Sequence, residues 1–189
     1  MQNLRPPPTT WWQCEPRRLQ RDQEEVRARF PNLEWQDAGA GGWMGRLPRW
    51  PFARPEPAGL VDVIGEQGLL VAVVYGHAYP MVAPAVHPVD PQPRFSTRTD
   101  QRWHVMGDGS LCLFQDDTTW TGRDSIVELL LKAAGWRVEF ELMTRGLINA
   151  MTINGIVNDD QLDPLLLRAS GETDKISELD GSQDDRCST

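Results

Sequence analysis

Leu69-Leu70-Val71-Ala72-Val73-Val74-Tyr75-Gly76-His77-Ala78-Tyr79-Pro80 is the stretch that sets the architecture. Its opening apolar run has the length of a strand buried inside a sheet and is too short for an ordinary helix. Tyr79-Pro80 then reads as a turn, and Pro84-Ala85-Val86-His87-Pro88-Val89 as another short strand held between prolines. Toward the N-terminus, Leu33–Trp35 reads as a first strand, Ala38–Gly42 as a glycine-rich turn and Trp43–Leu47 as a second strand. Leu60–Ile64 alternates weakly and is expected as a strand, followed by a tight turn at Glu66-Gln67-Gly68.

Ahead of these strands, Pro16 to Phe30 reads as a helix that Pro31 ends. Leu19, Val26 and Phe30 fall on one side of it. That apolar stripe is thin, so the helix is expected on the surface. Trp11-Trp12 precede it and either pack back on the domain or anchor a partner; packing is the commoner fate of such rings. Downstream, Asp90–Gln101 is a polar loop, Trp103–Met106 leads into the turn Gly107-Asp108-Gly109, and Asp116–Arg123 is a second loop. A long helix is expected from Ser125 to Thr144, capped by Asp124 or Thr121, with Ile126, Leu129, Leu130 and Ala133 facing the core. A last short helix begins near Asp163-Pro164. The fold class is therefore α+β: an N-terminal helix, a four-stranded antiparallel meander, a cysteine loop and C-terminal helices. Residues 1–15 form a Pro/Trp-rich extension, 16–167 one domain, and 168–189 an acidic tail without periodicity, expected to be disordered.

The formal net charge of −8 argues against nucleic acid as the main partner, since phosphate binding needs clustered Lys and Arg. No apolar run approaches the roughly 20 residues needed to span a bilayer, and Met1–Pro8 lacks the apolar core of a signal peptide. No membrane association and a cytoplasmic location are expected. Cys14, Cys112 and Cys187 are too few and too far apart for a disulfide framework and lack zinc-ligand spacing, so no metal or other cofactor is expected.

One of these cysteines stands out. Cys112 lies in Gly109-Ser110-Leu111-Cys112-Leu113, just after an Asp-Gly turn and ahead of an acidic loop and Trp120. A cysteine between two leucines is ordinarily core packing. One at the end of a turn, before a polar loop, is placed like a nucleophile at the mouth of a groove.

The order of these features resembles the ubiquitin-conjugating enzyme family. Tyr79-Pro80 looks like the family's Tyr-Pro turn, with Pro84 and Val86 five and seven residues on. Cys112 looks like its thioester cysteine in a Gly-x-Leu-Cys-Leu setting, and Trp120 falls eight residues later, where the family has its tryptophan. Ser125-Ile126 matches the opening of the next helix. The resemblance covers about residues 17 to 145. The family's His-Pro-Asn is missing; His104, eight residues before Cys112, is followed by Val105 and Met106. The family's Trp-Ser-Pro is Trp120-Thr121-Gly122 here. In these departures the chain is more similar to divergent bacterial relatives found in antiphage defence operons.

The resemblance implies a transferase that carries a ubiquitin-like modifier as a thioester on Cys112, received from a cognate activating enzyme and passed to an acceptor protein. Asp116 and Asp117, in the loop after the cysteine, would orient or deprotonate an incoming lysine, or stand as solvated loop acids. His104 would donate to the oxyanion in place of the missing Asn, or bond structurally to the backbone of the cysteine loop. Trp120 would pack under that loop. Arg17, Arg18 and Arg21 on the first helix would meet the activating enzyme; the alternative is a solvated face paired with Asp22, Glu24 and Glu25. Two rival readings stay open: a binding module of the same fold without catalysis, and a cysteine hydrolase using His104 with Asp116 or Asp117.

Overall fold

The computed structural model describes residues 9–98, 100–114, 120–152, 155–157 and 160–170, and all that follows concerns them. A short helix α1 (Trp11–Cys14) leads into α2 (Pro16–Arg29), whose Pro16 occupies the first turn, where a missing N–H costs nothing. Strands β1 (Leu33–Gln36), β2 (Gly42–Arg46), β3 (Leu70–Val74) and β4 (Ala85–Asp90) form one sheet in chain order, every pair antiparallel. Trp35, Trp43, Val73 and Val86 stand opposite one another across it. The last three are buried and join the core with helix α4 (Ile126–Thr144). A final helix, α5, covers 163–170 and opens with Pro164 in its first turn. The α+β class and the four-stranded antiparallel meander are thus as expected.

Leu60–Ile64 is a correction. It is a helical turn, α3, and not a strand. Leu60, Val63 and Ile64 are its buried residues, at helical spacing. As a strand the segment would have turned Asp62 to the same face as Leu60 and Ile64. Gly59 and Gly65, both at positive φ, bracket the turn.

Helix α4 is buried nearly all round its middle: Ala133, Ala134, Gly135 and Trp136 are consecutive and all inside. Gly135 would seem to weaken such a helix. A Cβ there would lie 3.2 Å from the Ile156 side chain and 3.3 Å from that of Val157, so the glycine lets residues 155–157 cross close over the helix. Glu139, buried on the same helix, accepts from the Thr152 backbone N–H at 2.6 Å and from its hydroxyl at 2.8 Å, tying down the chain after α4.

Trp11 takes the packing role. It is buried, stacks on Tyr75 at 5.1 Å and donates its indole N–H to the Ala40 carbonyl at 2.7 Å. Helix α2 is a second correction. The expected stripe does turn inward, with Val26 and Phe30 buried and Leu19 packed against the core, but a polar pair, Arg18 and Asp22, is buried beside it, so the helix is not merely a surface one.

Candidate functional site

Between β4 and α4 the chain makes a small hairpin that ends at Cys112. Val105 and Leu111 form an antiparallel bridge. The Met106 N–H reaches the Ser110 carbonyl at 2.8 Å, and Gly109 N–H reaches Met106 O at 2.9 Å. Asp108 accepts from the Ser110 N–H and hydroxyl, at 2.9 and 2.7 Å; these bonds hold its carboxyl below the usual range. Gly109 sits at φ +88°, beneath the Arg98 guanidinium, in a conformation that favours glycine. The Leu111 N–H donates to Val86 O at 2.8 Å and so docks the hairpin on β4.

Cys112 emerges at the end of this hairpin as a free, half-buried thiol. Its N–H is held by the His104 carbonyl at 2.8 Å, and its Sγ donates to the Phe114 carbonyl at 3.4 Å. Two residues on, Phe114 forms one wall of a cavity of about 230 Å³, lined also by Trp120, Asp124, Ser125, Glu128, Leu129 and Lys132; Cys112 itself is not part of the lining. Lys132 places its ammonium 5.0 Å from the Phe114 ring centre and donates to Leu113 O at 3.2 Å. The start of α4, capped by Ser125, therefore faces the residues that follow the cysteine.

His104 is half-buried, and that burial lowers its pKa. Its φ of 49° is the one positive value at a non-glycine position among the described residues, an uncommon left-handed conformation in which histidine is among the better tolerated side chains. The bond it makes to the cysteine loop runs through its backbone carbonyl. Trp120 donates its indole N–H to Pro80 O at 2.9 Å and lies 6.3 Å from Tyr79 and 6.0 Å from Phe114, ring centre to ring centre. It thereby joins the Tyr79-Pro80 turn, whose peptide is cis, to the residues after Cys112. Asp116, Asp117 and Cys187 lie outside the described residues.

The three arginines of α2 expected at a partner surface, Arg17, Arg18 and Arg21, separate. Arg17 is exposed. Arg21 is partly exposed, pairs with Glu25 at 2.7 Å and donates to Arg123 O at 2.9 Å. Arg18 is a correction: it is 7% exposed and directed inward, away from any partner on the helix's outer face. Its Nε–H goes to the Tyr79 hydroxyl at 2.7 Å, Nη1 to Gly122 O at 2.9 Å and Nη2 to Asp124 O at 2.6 Å.

Behind Arg18 is a buried polar cluster that sequence reading missed. Asp22 is 0% exposed and accepts at Oδ2 from the hydroxyls of Tyr79 (2.5 Å) and Tyr75 (3.2 Å). Tyr75 in turn accepts the Trp43 indole N–H at 3.1 Å. Asp22 Oδ1 lies 3.0 Å from Arg18 Nε but receives no hydrogen bond, because the single Nε proton is committed to Tyr79. Burial pushes the Asp22 carboxyl above its usual range despite these donors, and it pushes both tyrosines up as well. The one sequence signal was the i,i+4 spacing of Arg18 and Asp22, which is equally that of a solvated pair.

Among the described residues no group of three or more His, Cys, Asp and Glu could hold a metal ion, and no helix is long and apolar enough to cross a membrane. Compared with known proteins, the chain matches no family model and no curated protein in sequence.

Proposed function

We propose that the chain is an acyl carrier of the ubiquitin-conjugating kind, which holds the C-terminus of a ubiquitin-like protein as a thioester on Cys112. The observation that carries this reading is the placement of Cys112. It is a free, partly open thiol at the end of a hairpin docked on a four-stranded meander, bonded to the carbonyl of Phe114, a residue that lines a cavity. The Cys112 thiolate attacks the carbonyl carbon of a thioester presented by an activating enzyme. A new S–C bond forms, the old one breaks, and the departing thiolate takes up a proton. One thioester replaces another at nearly equal energy, so alignment is the main requirement. The acyl group then passes to an amine of an acceptor protein. A setting in bacterial antiviral defence follows from the motif departures described above.

The test is intact-mass analysis of tagged protein recovered from its native host, for the wild type, Cys112→Ser and Cys112→Ala. The expected result is a protein-sized adduct that reductant removes from the wild type. On the Ser variant it resists reductant but yields to hydroxide, and on the Ala variant it is missing. Absence of an adduct on every form, with modifier and activating enzyme shown to be expressed, would favour a non-catalytic binding module with a packing thiol.

A further inference from the structure

We propose that Arg18 is a positioning residue for the Cys112 site, clamping the segment from Trp120 to Ser125 onto helix α2 and so fixing one side of the groove lined by Phe114, the residue whose carbonyl accepts the thiol hydrogen. The proposal rests on Cys112 being the reacting group. Every residue from Gly122 to Ser125 is tied to α2. Arg18 holds the carbonyls of Gly122 and Asp124, Arg21 holds that of Arg123, and Glu25 accepts the Ser125 hydroxyl at 2.5 Å. Arg18 alone is both buried and shared among three acceptors, and its orientation is set by the Asp22 carboxylate and by the Tyr79 ring 5.0 Å away. From the clamped segment to the thiol there are two contacts: Trp120 leans on Phe114, and the Phe114 carbonyl accepts the thiol hydrogen. A lysine at position 18 would keep the charge that Asp22 faces. Its single ammonium cannot span a hydroxyl and two carbonyls as the planar guanidinium does.

The experiment compares full-length wild type with Arg18→Lys, using 5-fluorotryptophan labelling and fluorine NMR. The Trp120 resonance is assigned through Trp120→Phe. Peptide-resolved mass spectrometry follows alkylation of Cys112 by iodoacetamide. Leu166→Ala, a lesion in the buried face of α5, serves as a control compared at equal thermal stability. The expected result for Arg18→Lys is a displaced or broadened Trp120 resonance together with Cys112 alkylation faster by about threefold or more, the size of a modest increase in local opening. The control should leave both at wild-type values. A folded Arg18→Lys protein with an unchanged resonance and unchanged alkylation would overturn the proposal, as would equal changes in Leu166→Ala. If Arg18→Lys does not fold, Asp22→Asn is read by the same two measurements. It keeps the guanidinium and removes the charge that orients it, and wild-type values there would equally refute the clamp. Both measurements use the free thiol and no modifier, so failure of thioester formation and failure of the clamp are separate results.

Discussion

Replacing Arg18 by methionine removes a buried cation while keeping most of its side-chain volume. Three hydrogen bonds are lost, to Tyr79, Gly122 and Asp124, each from a charged donor. The larger effect is what stays behind: Asp22, fully buried, keeps its two tyrosine hydroxyls but loses its counter-charge. Removing one partner of a buried ion pair costs about 3–5 kcal/mol. For a chain of this length each kcal/mol corresponds to roughly 2–4 °C, so the melting temperature should fall by roughly 6–20 °C. Urea denaturation of Arg18→Met, Asp22→Asn and the double variant closes a cycle. The double variant should be more stable than the sum of the single losses by about 1 kcal/mol or more, because Asp22→Asn removes the stranded charge. A loss below about 1 kcal/mol for Arg18→Met is the behaviour of an exposed pair and would refute the buried-clamp account. Simple additivity in the cycle would refute the coupling between the two side chains.

Two further predictions follow from the same region. Burial raises the Asp22 pKa above its unfolded value, so the folded protein binds that proton more tightly and stability falls as pH rises through the interval between the two. The difference in melting temperature between wild type and Asp22→Asn, followed from acid to neutral pH, should therefore slope in that direction; parallel curves would rule it out. Trp11→Ala should cost about 3–5 kcal/mol in chemical denaturation, as for a large buried aromatic, since it empties a site packed against Tyr75, Tyr79 and Trp35. A loss within the range of surface substitutions would mean that α1 does not belong to the core.

The sheet was legible because its strands carry their own signal. Leu70–Val74 is apolar at every position, and β4 begins after one proline and includes another. Leu60–Ile64 was not legible, because four apolar residues around Asp62, set between glycines, fit either period until the side on which Asp62 falls is known. Cys112 stands out as a candidate from its neighbours along the chain. The use of Arg18 does not, since its partners at Gly122 and Asp124 lie 104 and 106 residues away and two of its three bonds go to backbone carbonyls, which have no residue type to betray them. An arginine and an aspartate one helical turn apart look the same in water and in a core. The hydroxyls of Tyr75 and Tyr79 make the difference, and only the folded sheet brings them to α2.

The ties between α2 and Gly122–Ser125 also bear on the order in which the protein can be made. Synthesis runs from the N-terminus, so α1 and α2 leave the ribosome with Trp11, Arg18 and Asp22 still lacking partners. Tyr75 and Tyr79 arrive only after the third strand, and the carbonyls that complete Arg18 arrive some hundred residues after it. Contacts of such long sequence separation slow folding, because the chain must close a large loop before they form. Helix α2 therefore emerges some hundred residues ahead of the carbonyls that lock it, and the groove lined by Phe114 and Trp120 takes its shape only when the segment before α4 folds back onto α2.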